Sequence, residues 1–309
     1  MEKLRRRILT RSMLALLCFP LGMAAIIGCT AETEGAKSAG GAIDLPVELS
    51  VGIGQKAKTR AGTALLSSVF DVGDKFYAYF PGSKVTKNNT LFTIQSAVSQ
   101  AKPDAQPFVK KAYQGTATVQ AYYPQTVTET TAEFEVKADQ SSTANYKASD
   151  LLYATNTIGL DGKATLNFDH RLSKIIVKAT AGMGVTSITA VNIISGNRKV
   201  NLTAGTAMPG TTLSVPNSSG SPLVMYSGTG TEAICAALIP PQTIANTAAF
   251  IEIVTNLGKA WYSLVSTTAL TGGKSYTYEL FAGSQNIGLT TTVTDWLVGD
   301  SFTGEVDIK

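Results

Sequence analysis

Histidine is nearly missing from this chain: His170 is the only one in 309 residues. A histidine-based catalytic triad therefore has a single place to stand, and His170 follows Asp169 in an extended stretch where adjacent side chains face opposite sides. Its expected role is packing or hydrogen bonding. Cysteine is almost as scarce, with Cys18, Cys29 and Cys235 alone. One histidine and one cysteine outside the N-terminal region cannot make a standard zinc site. No G-x-S-x-G occurs, and Gly272-Gly273-Lys274-Ser275 lacks the first glycine of a phosphate loop because Thr268 stands there. These absences argue against an enzyme, and no metal or cofactor is implied. Asp71 and Asp74 suit turn formation better than an ion site.

Charge is also sparse. Charged residues make up 16% of the chain, against roughly 25% in typical soluble domains. The formal net charge of +4 belongs to the N-terminus. Lys3, Arg5, Arg6, Arg7 and Arg11 outnumber Glu2 there, and without residues 1–28 the chain has 21 basic and 21 acidic residues. No electrostatic footprint for nucleic acid remains.

The basic start, the apolar run Met13–Ile27 and the sequence Ile26-Ile27-Gly28-Cys29 read as a lipoprotein signal peptide over 1–28, cut before an acylated Cys29. Several acyl chains on one cysteine anchor a protein stably. Cys18 leaves with the leader. Cys235 then stands alone in the apolar run Ala233–Ile239, as a small core residue with no disulfide framework.

Helical periodicity is weak throughout, whereas period-two alternation is frequent. The clearest case is Ile43, Leu45, Val47, Leu49, Val51 and Ile53, alternating with Asp44, Pro46, Glu48, Ser50 and Gly52. Such alternation predicts one buried and one wet face, and Pro46 predicts an edge strand. Roughly fourteen or more short strands separated by turn signals predict a β-sandwich architecture, divided into two domains near Phe168–Arg171. The long connection 95–108 has room for a short helix. Phe76, Tyr77, Tyr79, Phe80, Tyr122 and Tyr123 offer aromatic surface for a glycan, although alternation sends about half of them into the core. The tail presents a second extended apolar series, Trp296, Val298, Phe302, Val306 and Ile308.

Several ordered motifs resemble the fimbrillin family, the lipoprotein-precursor pilins of Bacteroidales. They are the lipobox at Cys29, Phe70-Asp71-Val72-Gly73-Asp74 before the aromatic strand, Ala121-Tyr122-Tyr123-Pro124, and Asp150-Leu151-Leu152-Tyr153-Ala154. Leu166–Ile175, Leu238-Ile239-Pro240-Pro241-Gln242 and Leu270–Tyr278 complete the set. The resemblance implies an all-β chain with two tandem transthyretin-like Greek-key β-sandwich domains. Its expected segments are a signal peptide over 1–28, a propeptide over 29–60 with a removable first strand, and domains over 61–168 and 169–309. It further implies an outer-membrane lipoprotein precursor, tethered through lipidated Cys29, that reaches the fimbrium at the cell surface. An Arg-specific or trypsin-like protease would cut between Arg60 and Ala61. Another pilin subunit would then fill the vacated groove with a donor strand from 296–309, making a homo- or hetero-polymer. A host or bacterial surface receptor is the remaining partner implied. The alternative is a non-polymerising tip, anchor or glycan-binding lipoprotein of the same fold.

Overall fold

The computed structural model describes residues 44–53, 70–82, 84–95, 100–105, 108–111, 115–202, 222–227, 229–247, 249–283, 287–295 and 304–306. The first strands are β1 (Asp44–Pro46), β2 (Glu48–Ile53), β3 (Lys75–Tyr79), β4 (Asn89–Ile94) and β5 (Gln100–Pro103). They are followed by β6 (Val109–Lys111), β7 (Ala117–Tyr123), β8 (Glu133–Glu135), helix α1 (Thr143–Ala148), β9 (Leu152–Ile158) and β10 (Lys163–His170). Next come β11 (Ser173–Ala181), β12 (Ile188–Ile193), β13 (Lys199–Asn201), β14 (Leu223–Val224), β15 (Tyr226–Ser227), β16 (Glu232–Ile239) and β17 (Thr243–Ile244). The last are β18 (Ala249–Thr255), β19 (Gly258–Ser263), β20 (Thr268–Ala269), β21 (Lys274–Ala282), β22 (Ile287–Asp295) and β23 (Gly304–Val306). The fold is all-β, as expected.

Alternation explains the first core. In the order β10-β2-β5-β4-β3-β7-β9 the strands close into a barrel, with β9 and β10 completing the ring. Its inward positions include Val47, Leu49, Val51, Phe76, Phe92 and Phe168, all at most 4% exposed. Phe76 stacks on Phe92 at 5.5 Å and meets Phe168 edge-on at 5.4 Å. The second core lies between a six-stranded sheet, β15-β16-β11-β21-β22-β23, and a four-stranded sheet, β14-β12-β18-β19. Val177, Cys235, Phe250, Ile253 and Leu280 are fully enclosed there. Val127, Phe134, Val136 and Leu151 belong to this second cluster although they precede residue 168. Gln140 binds them in by exchanging two 2.9 Å hydrogen bonds with the backbone of Leu238.

Two local expectations change. The main part of the 43–53 stretch is not an edge strand: β2 (Glu48–Ile53) lies between β10 and β5 inside the barrel, and only β1, paired with β6 alone in a two-stranded sheet, keeps an edge. Pro46 ends β1, which pairs with β6, and the chain changes partners at Val47. The missing proline N–H therefore falls at the end of a two-stranded edge ladder, where the chain breaks from β6 and enters the barrel. Within 95–108 the described residues hold strand β5, not a helix. The helix stands at α1, where the Ser142 side chain accepts from the Asn145 N–H at 3.2 Å.

The junction after β10 carries buried polar groups. His170 Nδ1 lies 2.9 Å from Asp150 Oδ1, so Asp150, not adjacent Asp169, is the hydrogen-bonding partner. Nearby Lys174 is 4% exposed. Burial lowers its pKa to about 8, against a smaller opposing pull from Asp150. The unfolded lysine keeps its proton to about 10.5, so between these values the unfolded state holds more protons and stability rises with pH. Burial raises the hydroxyls of Tyr123 and Tyr278, so above about pH 10 the folded state holds the extra protons and stability falls. Chemical denaturation as a function of pH should show stability climbing from pH 8, by at most about 3 kcal/mol, then declining past pH 10. Lys174→Met should flatten the climb and leave the decline.

Candidate functional site

The site of interest is the slot in the barrel occupied by β2, with β1 leading into it and paired with β6. β2 runs parallel to β10 over six residue pairs, from Glu48 opposite Lys163 to Ile53 opposite Phe168. On its other side it meets β5 through only two antiparallel pairs, Leu49 with Ala101 and Ser50 with Gln100. Val47, Leu49 and Val51 point inward, while Leu45 and Ile53 are half-buried. Burying the three inward side chains contributes roughly 5–9 kcal/mol gross, an upper bound because unfolded chains already bury some surface.

Three neighbours set the register. Gly162, in the Asp161-Gly162 turn, has φ +83°, and a Cβ there would stand 2.5 Å from the Pro46 carbonyl oxygen. The Gly162 carbonyl accepts from the Glu48 N–H at 3.1 Å. One step on, Lys163 Nζ pairs with Glu48 Oε2 at 2.9 Å. Both partners are well exposed, so the pair favours one register more than it adds stability. Lys110, opposite Leu45, is fully buried and its Nζ has no hydrogen-bond partner among the described residues. An enclosed amine without a partner is costly, and it stands directly beside β1. Sequence reasoning missed Gly162, Lys110 and Lys163; the Asp-Gly dipeptide between two strand patterns was the one local signal available for the first.

Other site residues are distributed as follows. Cys29, Ile43, Arg60, Ala61, Trp296, Val298, Phe302 and Ile308 lie outside the described residues. Val306 belongs to β23, which pairs antiparallel with β22, Val306 opposite Leu289. Among the aromatics, Phe76, Phe80, Tyr122 and Tyr123 are at most 9% exposed, so they build core and not a glycan platform. Asp74 Oδ2 accepts from the Asp71 N–H at 2.8 Å, and Lys147 bonds to both carboxylates. Gly272 and Gly273 form the turn entering β21. A cleft of about 630 Å³ lies among Gly73–Lys75, Tyr123–Thr126, β8 and α1. Its carboxylates are taken up: Glu133 by Lys199 at 2.8 Å, Glu135 by Arg198 at 2.9 Å, and Asp74 by Lys147 at 3.3 Å. Among the described residues no group of three His, Cys, Asp or Glu could hold a metal ion, and no helix is long and apolar enough to cross a membrane.

This geometry separates two kinds of substitution. Leu49→Ala should lower unfolding stability by about 2–5 kcal/mol through the cavity it leaves. Gly162→Ala should destabilise the intact chain by more than 1 kcal/mol through strain and the Pro46 clash. Its cost should shrink in a chain from which residues 30–60 have been removed. Denaturant titration of both forms measures the difference.

Residues 110–296 match the family model described as fimbrillin-like. The fold is shared with a candidate cell adhesion protein from Bacteroides ovatus, at TM-score 0.64 and 17% identity over 84% of this chain and 100% of that one. A second such protein, from Bacteroides uniformis, aligns at TM-score 0.61 and 17% identity, covering 82% of this chain and 99% of its own. No curated protein matches. With more than half of its length inside the family match, and with the same all-β architecture, the chain belongs to the fimbrillin-like family of fimbrial, cell-surface proteins.

Proposed function

We propose that this chain is a structural fimbrial subunit that polymerises by protease-triggered strand exchange and supports adhesion. It would be exported as an outer-membrane lipoprotein acylated at Cys29 and cut by an Arg-specific or trypsin-like protease between Arg60 and Ala61. The segment carrying β1 and β2 would then leave. The supporting observation is the place of β2: one strand near the N-terminus, joined to the rest by the Arg60 connection, fills the slot between β5 and β10. Its removal would expose two strand edges and a groove over Phe76, Phe92 and Phe168, a template for strand addition.

Cleavage matters for a quantitative reason. While the connection is intact, β2 competes for its slot at an effective concentration of about millimolar or more. Once cut, it competes as a free peptide, and a donor strand on a neighbouring subunit can displace it. The chain's own C-terminus has the matching pattern. Glu305-Val306-Asp307-Ile308 repeats the types of Glu48-Leu49-Ser50-Val51. In that register Glu305 would face Lys163, and Val306 and Ile308 would take the inward places of Leu49 and Val51. The two-domain division, 61–168 and 169–309, fits this reading, the first domain receiving a strand and the second offering one.

One observation favours the alternative, a tip, anchor or glycan-binding lipoprotein that does not polymerise. β23 uses Gly304–Val306 against β22 of the same chain. A donor role requires these three pairs to open first.

Limited trypsin treatment of residues 30–309 should yield a core beginning at Ala61 and detergent-resistant ladders on electrophoresis. Deleting 304–309 should abolish the ladder and leave the cut core folded. Lys163→Glu should slow ladder growth several-fold. A cleanly cut protein that stays monomeric would support the non-polymerising reading.

A further inference from the structure

The outward face of the four-stranded sheet carries a row that strand exchange does not use. Val224 of β14 stands opposite Asn192 of β12, Asn192 opposite Glu252 of β18, and Glu252 opposite Trp261 of β19. Residues directly opposite in antiparallel strands share a face, so one side chain from each strand stands in line. At about 4.8 Å per strand the row is roughly 14 Å long, room for about two or three hexose rings.

Its profile is low in the middle and open at both ends. Trp261 is 56% exposed and Val224 37%, while Glu252 is only 8% exposed. The Glu252 carboxylate accepts from Asn192 Nδ2 at 2.9 Å and from Lys259 Nζ at 3.1 Å. Burial pushes the Glu252 pKa up, but these hydrogen bonds and the Lys259 charge outweigh it and hold it below the ordinary value. The carboxylate is therefore ionised at neutral pH, and Lys259 balances it. Asn192 Oδ1, enclosed beneath the row, has no hydrogen-bond partner among the described residues.

We propose that this row binds a neutral oligosaccharide, one pyranose ring stacking on Trp261 and neighbouring hydroxyls meeting Glu252, Asn192 and Lys259. The chemistry selects that class. The half-exposed indole of Trp261 presents an apolar face, which matches the C–H face of a hexopyranose. The recessed polar groups both donate and accept, as a polyol requires. Their charges cancel, so the row has nothing to draw an anionic ligand. A second copy of this chain, pairing along the β19 edge, is the competing occupant, but a recessed and hydrogen-bonded polar centre suits a flat protein face poorly. The row lies outside the barrel, so it stands or falls independently of strand exchange.

The test uses uncleaved residues 30–309 on a printed array of neutral glucose, mannose, galactose and N-acetylhexosamine oligomers, with calorimetric titration of the strongest probe. Trp261→Ala should weaken binding at least tenfold, with its circular dichroism and melting unchanged. Trp261→Phe should retain part of it and Asn192→Ala should lose several-fold. Phe281→Ala, which removes an aromatic 54% exposed on the other sheet, should bind like the parent. No binding to any array member, binding unaffected by Trp261→Ala, or a Trp261-dependent dimer in sedimentation would each overturn the proposal.

Discussion

The barrel closes only because one short strand fills the gap between β5 and β10. Every other pairing in the barrel is antiparallel, whereas β2 is parallel to β10 and comes from more than a hundred residues away in sequence. A closed sheet has no free edges; the same sheet without β2 has two. The N-terminal strand is therefore what keeps the first core dry and the backbone of β5 and β10 satisfied. Its tie to β5 is the weaker one, at two pairs against six on the β10 side.

Such a strand can be firmly held and still replaceable. Val47, Leu49 and Val51 are aliphatic knobs that any similar alternating segment could supply. The contacts that choose among segments are fewer: the glycine at 162 that lets the chain approach closely, and the cation at 163 that favours a carboxylate opposite. The buried amine of Lys110 beside β1 adds a cost that the resident segment does not relieve. Hydrophobic burial thus sets affinity, and a few backbone and charge contacts set register.

Much of this was legible in the sequence. Alternation marked the inward residues Val47, Leu49 and Val51, the aromatic run at 76–80 marked a core strand, and the lone His170 pointed to a structural role that its bond to Asp150 now explains. Non-local pairing was not legible. Pro46 marked an edge for its own short ladder with β6 but not for β2, because a proline says only that its own N–H is unused, not which ladder the next residue joins. Strand β5 has a single fully buried residue, Ala101, too little for a period to show. Helix α1 is six residues long and buries none of them fully, so no apolar repeat announced it. The Val224–Asn192–Glu252–Trp261 row spans four strands and exists only once registers are known.

The central claim, that β2 is a replaceable closure, is tested most directly by hydrogen exchange resolved along β5 and β10. Protein cut after Arg60 should lose amide protection at 100–103 and 163–168, and adding a synthetic peptide of residues 296–309 should restore it. A cut protein that keeps the 43–53 segment bound, with protection at 163–168 unchanged whether or not the peptide is present, would contradict the account.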